Sequence, residues 1–163
     1  MPMSGKTTVG HALSKKININ YNDMDELIEN KYNLTIGQII NTKGKDIFRC
    51  YEKECLQDFS YKKNHILATG GGAINKHTLN IALLFKYRIW LQASTELLLQ
   101  RYEHNENKRP LLYNTNNLQE TLINLFDIRK DYYRECSNIV INTKNKTIDQ
   151  ITVESINKIN ELN

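Results

Sequence analysis

Gly5, Lys6, Thr7 and Thr8 stand together in MPMSGKTTVG at the start of the chain. They form the closing half of a G-x-x-x-x-G-K-[ST] pattern whose first glycine would lie one position before Met1. In such a loop backbone N–H groups wrap a β-phosphate, the lysine ammonium bridges the β- and γ-phosphates, and the Ser/Thr hydroxyl ligates Mg²⁺. Met3 and Ser4 lie inside the loop, and the residue types suit nucleotide triphosphate chemistry. A loop of this kind normally follows a buried parallel strand, and the sequence holds nothing upstream to supply one.

Other candidates lie further along. Asp23 and Asp25 are two apart at the end of a predicted strand, so their side chains are expected on one face, close to where the loop would hold a γ-phosphate. That arrangement suits a ligand for an acceptor hydroxyl and a water-mediated Mg²⁺ ligand; a pair of helix-capping carboxylates is the other reading. Arg49 is either a solvated helix arginine or a guanidinium held by Glu52 three residues on and presented beside Phe48. Gly70, Gly71 and Gly72 follow an apolar run; they form either a flexible turn or a backbone stretch that a ligand approaches closely. Arg109, before Pro110, is either a solvated loop charge or a lid arginine that closes onto phosphates. Arg129, in DIRKDYY, has the same two readings on a helix face.

The elements that would carry these residues alternate between helix and strand, which indicates an α/β domain with a largely parallel sheet. The pattern predicts a helix over Thr7–Lys16, a strand over Ile17–Asn22, a helical turn over Asp25–Tyr32, and a short helix over 36–42 capped by Thr35 and stopped at Gly44. A helix over Asp46–Tyr61 carries Ile47, Tyr51 and Cys55 at helical spacing, with Phe48 beside them. Strands follow at 66–69, 87–92 and 138–142, and helices at 76–85, from Ser94 to about His104, 118–134 and 148–162. The polar, asparagine-rich stretch 105–117 around KRPLL reads as a mobile loop.

Composition narrows the classes. A chain of 163 residues with 40% hydrophobic and 25% charged residues is expected to be one ordinary globular domain. Its formal charge of +4 comes from lysines and arginines scattered among acids, which favours small anionic ligands over nucleic acid. Cys50, Cys55 and Cys136 form no C-x-x-C pair and are odd in number, so free thiols in a reducing cytoplasm are expected. The histidines lack metal-ligand spacing. No apolar run is long enough for a membrane span, and the start lacks the apolar core of a signal peptide.

Taken together, SGKTTVG (4–10), DMD (23–25), DIFR (46–49), GGGAI (70–74), RPLL (109–112) and RKDYY (129–133) resemble the shikimate kinase family, in its order and close to its spacing across essentially the whole chain. The resemblance implies a three-layer P-loop kinase fold with five parallel strands in order 2-3-1-4-5, a lid at about 105–117, and transfer of the ATP γ-phosphoryl group to the 3-hydroxyl of shikimate. By the same resemblance Lys6 and Thr7 hold phosphates and Mg²⁺, and Asp25 orients the 3-hydroxyl and accepts its proton. Arg49 and Arg129 grip the shikimate carboxylate, Gly71 with its neighbouring glycines faces the ring, and Ile40 and Phe48 wall the pocket. Arg109 is the lid arginine on ATP, Arg101 stacks on adenine, and Lys146 is a further adenine-side residue. ATP and Mg²⁺ are the expected cofactors, and a cytoplasmic monomer the expected form. Two departures stand out: Met3 where glycine or alanine is frequent, and Ile40 where an aromatic is. The family's first strand and first loop glycine are also missing, so Met1 is expected to be an internal or misassigned start, and residues 1–163 alone a poorly soluble or weak kinase. A gluconate-type kinase and an inactive nucleotide-binding remnant are the alternatives.

Overall fold

The computed structural model describes residues 1–103 and 117–163. The order is α1 (Lys6–Ile17), β1 (Asn20–Asp23), α2 (Met24–Tyr32), α3 (Ile36–Lys43), α4 (Lys45–Ser60), β2 (His65–Ala68), α5 (Leu79–Ala82), β3 (Ile89–Gln92), α6 (Thr95–Glu103), α7 (Leu118–Cys136), β4 (Ile139–Asn142) and α8 (Ile148–Glu161). The strands form two parallel pairs. β1 runs beside β2 with Asn20 opposite His65 and Asp23 opposite Ala68, and β3 runs beside β4 with Ile89 opposite Ile139. In the order 2-3-1-4-5 these are the outer pairs. Among the described residues no strand lies between them; β2 and β3 instead border a cavity of about 710 Å³, lined by Val9, Leu13, Ile66, Leu67, Ile89 and Leu91 among others.

Local chemistry sets the element ends. α1 closes at Asn18 in the left-handed region (φ 52), where asparagine is tolerated, so the helix keeps Ile17 and the strand begins only at Asn20. Thr35 and Gln38 form a reciprocal capping box on α3, and Gly44 ends that helix at φ 91. Thr147 and Gln150 do the same for α8. The helix expected over 76–85 shrinks to Leu79–Ala82, because the Thr78 hydroxyl donates to the Ala73 carbonyl at 2.6 Å and the Asn75 side chain accepts the His77 N–H at 2.9 Å. Such side-chain bonds offer the backbone an alternative to the helix ladder.

The main core gathers Met24, Ile28, Ile39, Phe48, Leu56, Leu98 and Leu122 from the helices, and a second cluster joins Val9, Leu91, Ile141 and Ile151. Each such burial contributes roughly 1.5–3 kcal/mol. On α4 the buried stripe is Phe48, Glu52, Cys55, Leu56 and Phe59. The expected stripe through Ile47 is corrected: Ile47 is exposed, and the buried stripe begins instead at Phe48 and continues one turn on at Glu52, a carboxylate.

Candidate active site

The loop Met1–Gly5 is shaped by two residues with positive φ, Met3 at 57° and Gly5 at 90°. Glycine takes such values without cost; Met3 does not, and its left-handed backbone is strain held at the loop. Gly5 is the N-cap of α1 and gives it no side-chain bond, and the first turn carries no acid, while Lys15 and Lys16 lie in the last. The positive end of the helix dipole is thus left for an anion. Lys6 Nζ donates to the Met1 carbonyl at 2.8 Å and to Ser4 Oγ at 3.4 Å, and buried Ser4 donates to the same carbonyl at 3.1 Å. Thr8 is exposed at the outer side of the first turn.

β1 ends at Asp23, and Asp25 already belongs to the first turn of α2. The expectation that strand alternation puts both carboxylates on one face is therefore corrected. Asp23 Oδ1 accepts the Asp25 N–H at 2.9 Å, capping α2, while its Oδ2 accepts the Thr7 hydroxyl at 3.3 Å and the Tyr21 hydroxyl at 3.2 Å. Burial, and then the Asp23 charge, push the Tyr21 phenol up to about 12. One carboxylate thus caps α2 through Oδ1 and meets the Thr7 hydroxyl through Oδ2. Asp25 turns the other way, toward Glu52 and the glycines.

The glycine run after β2 gathers the rest. A Cβ on Gly70 would lie 2.7 Å from Glu52 Oε1 and 3.1 Å from Asp25 Oδ1; one on Gly71 would lie 3.3 Å from the Pro2 nitrogen and 3.4 Å from an Arg129 terminal nitrogen; one on Gly72 would lie 2.6 Å from an Arg49 terminal nitrogen. None of the three has positive φ. The run does turn, with the Ala73 N–H on the Gly70 carbonyl at 3.1 Å, but without positive φ that turn does not itself demand glycine; close approach does. Arg49 pairs with Glu52, as its spacing predicts, and its guanidinium lies 5.4 Å from the Phe48 ring centroid. Glu52 is 1% exposed. Burial pushes its carboxyl above the ordinary value of 4.5, against the opposing pull of Arg49. Tyr133, on α7 one turn beyond Arg129, donates to the Gly71 carbonyl and accepts from the Met1 ammonium at 3.1 Å, tying α7 to both the glycine run and the loop. Neither Tyr133 nor Tyr21 was singled out by sequence reasoning, though Tyr133 lies inside RKDYY at helical spacing from Arg129, and Tyr21 lies two before Asp23 on a strand.

The remaining candidates are dispersed. Arg101, half-buried on α6, donates to the Met3 carbonyl at 3.3 Å and to Thr143 Oγ1 at 3.4 Å, joining the loop to the end of β4. Lys146 pairs with Glu154 of α8 at 2.5 Å. Ile40 is half-buried on α3 against the core cluster that contains Phe48. Arg109 and positions 105–116 of the expected lid lie outside the described residues. Among the described residues no cluster of three or more His, Cys, Asp or Glu side chains could hold a metal by itself; the pair Thr7 and Asp23 offers two hard oxygen donors, which suits an ion that takes its other ligands from phosphate and water.

Buried Glu52, half-buried Asp25, Arg49, Arg129 and the backbone of Met1 and Pro2 therefore all lie close to one glycine run. The family model for shikimate kinase matches residues 2–160. The chain is 36% identical to the shikimate kinase of Dictyoglomus turgidum over 97% of this chain and 92% of that one. It superposes on the shikimate kinase of Acinetobacter baumannii in complex with shikimate with a TM-score of 0.90 and 32% identity, covering 98% of this chain and 89% of the other. On the Aquifex aeolicus enzyme the values are 0.82 and 30%, with 98% and 92% covered. By family model, by sequence identity and by fold, the chain belongs to the shikimate kinase family.

Proposed function

We propose a division of labour in which the loop and α1 hold ATP while the glycine run, Asp25 and two arginines hold the acceptor. The reaction is the ATP-dependent phosphorylation of shikimate at its 3-hydroxyl. The acceptor oxygen attacks the γ-phosphorus, the bond to the β–γ bridging oxygen breaks, and the hydroxyl proton passes to Asp25. Lys6 exchanges its Met1 and Ser4 partners for the β- and γ-phosphates, and the backbone from Met3 to Thr8 wraps them. Arg49 and Arg129, as planar forks, hold the shikimate carboxylate. Gly70, Gly71 and Gly72 lie against the ring, with Phe48 and Ile40 as apolar wall. Arg101 stacks on the adenine, Lys146 lies beside it, and Arg109 closes over the phosphates.

Mg²⁺, when bound through Thr7 and through water to Asp23, neutralises charge on the phosphate oxygens. Thr7 Oγ1 and Asp23 Oδ2 are 3.3 Å apart, and as hydroxyl and carboxylate they fit that ion. The chain acts as a single domain, a reading supported by the match of one family model over residues 2–160, and as a monomer. The free thiols Cys50, Cys55 and Cys136 suit a reducing cytoplasm. Among the described residues no helix is long and apolar enough to cross a membrane.

The observation that carries this reading is the placing of Glu52 and Asp25, Arg129 and the loop, and Arg49 against three successive glycines. A coupled assay with ATP, Mg²⁺ and either shikimate or gluconate tests it. Turnover of shikimate with none of gluconate is expected. Turnover of gluconate would make it the related sugar-acid kinase, and turnover of neither acid would make the chain a nucleotide-binding remnant.

A further inference from the structure

Tyr21 is clamped independently of the carboxylate it touches. Tyr21 and Asp23 are two apart on β1, so their side chains leave one face of the strand. Thr7, Gly10 and His11 are i, i+3 and i+4 on α1, so they form one face of the helix. The Tyr21 ring lies along that face: a Cβ on Gly10 would stand 2.4 Å from Tyr21 Cε2, and the His11 ring packs with its centroid 3.8 Å away at an interplanar angle of 38°. Gly10 is what lets the ring lie there. Packing on Gly10 and His11 fixes where the hydroxyl sits, 3.2 Å from Asp23 Oδ2, the oxygen that also takes the Thr7 hydroxyl at 3.3 Å.

We propose that Tyr21 is a positioning residue for the nucleotide-bound divalent cation, fixing the Asp23 carboxylate against Thr7 before the ion arrives. The inference rests on the reading of Thr7 and Asp23 as the Mg²⁺ side of the site. The terminal torsion of an aspartate is soft, and a carboxylate already held at both oxygens loses less freedom when the ion binds. The Asp25 N–H holds Oδ1; Tyr21 and Thr7 hold Oδ2. Thr7 must also face the ion, which leaves Tyr21, itself in contact with Thr7, as the donor to Oδ2 that does not.

The test is a titration of Mn²⁺, as a spectroscopic substitute for Mg²⁺, into the full chain with ADP, followed by electron paramagnetic resonance so that no turnover is involved. Tyr21→Phe, Asp23→Ala and the double variant are compared with the parent. Tyr21→Phe is expected to weaken Mn²⁺ binding about three- to tenfold, the scale of one lost hydrogen bond. Its metal-free ADP affinity and its shikimate affinity should stay at the parent values, and its thermal midpoint should fall by only a few degrees at most, because the ring still packs on Gly10. In the Asp23→Ala background the added Tyr21→Phe change should have no further effect. If Asp23→Ala weakens Mn²⁺ binding and Tyr21→Phe does not, or if Tyr21→Phe weakens it equally with Asp23 absent, the Tyr21 role is wrong and the metal reading stands. If Asp23→Ala leaves Mn²⁺ binding unchanged, both fall together.

Discussion

On the proposed reading, the nucleotide side of the site is made largely of backbone, and the acceptor side of side chains. On the first, Gly5 and Met3 take left-handed conformations before the start of α1, and the long cations proposed for it among the described residues already have partners within the chain: Lys6 on Met1 and Ser4, Arg101 on Met3 and Thr143, Lys146 on Glu154. On the proposed reading those bonds are exchanged when a nucleotide binds. On the second, Asp25 from α2, Arg49 and Glu52 from α4 and Arg129 from α7 converge on a glycine backbone. Arg49 reaches its working place through a carboxylate that is itself buried. The difference separates two functions. Backbone donors recognise any phosphate, whereas a shaped set of charges held before binding recognises one acid.

That contrast is most sharply broken by changes that should affect one side alone. Lys6→Ala is expected to abolish phosphoryl transfer while leaving shikimate affinity near that of the parent, since the ammonium serves phosphates only. Equal turnover in variant and parent would remove Lys6 from the reaction. On the other side Asp25→Asn should lower kcat by about 10²-fold or more, the scale for a lost positioned base. An effect confined to the KM for ATP would move Asp25 to the nucleotide side. Arg49→Ala or Arg129→Ala should weaken shikimate binding by about 2 kcal/mol, the lower end for cutting one side of a desolvated charge pair, and lysine at either position should not restore it. Isothermal titration with shikimate decides; unchanged affinity in both alanine variants would leave the carboxylate without its clamp.

The two sides also differed in how far the sequence disclosed them. The phosphate loop is local, so Gly5, Lys6 and Thr7 are legible as a run of residue types. The i, i+3 pairing of Arg49 with Glu52 is equally local and was visible for the same reason. What escaped was burial. Helical periodicity on α4 selects Ile47 and Tyr51 by polarity, but the fold turns Glu52 inward with Phe48 and Leu56, where it pairs with Arg49. Asp25 was placed by strand alternation, yet the strand stops at Asp23, whose own side chain starts the next helix. The bonds of Tyr133 to Gly71 and Met1 span 62 and 132 residues, a separation at which no spacing rule operates. The same limit applies to the β-pairs: single strands were recognisable, but their division into two pairs is a tertiary fact.

Gly72→Ala offers a smaller and more selective perturbation of the acceptor side. The added methyl would meet the terminal nitrogens of Arg49 at 2.6 and 2.9 Å, and these are the mobile end of a long side chain rather than backbone. Gly72 has no positive φ, so alanine brings no backbone strain. The guanidinium is expected to shift, raising the KM for shikimate several-fold with little change in thermal midpoint or in the KM for ATP. A large loss of stability with an unaltered KM would mean that Gly72 is a packing residue and that the arginine does not reach the substrate.

The smallest expected effect tests what the buried carboxylate costs. Glu52 has its carboxyl raised above the ordinary 4.5, with burial outweighing the attraction of Arg49. Below the unfolded value both states are protonated and the penalty is absent. As pH rises from there toward the folded value, the unfolded chain releases this proton while the folded chain still holds it, so stability falls through that window and then levels off. Glu52→Gln is neutral throughout and lacks this contribution, while the other titrating groups remain. The stability of the parent relative to Glu52→Gln, from urea unfolding at a series of pH values, should therefore decline as pH climbs past about 4.5. A relative stability that instead grows with pH would mean that the Arg49 pair outweighs burial. The charge on Glu52 would then stabilise the acceptor side, and the arginine would be anchored by attraction alone rather than by a carboxylate held there at a cost.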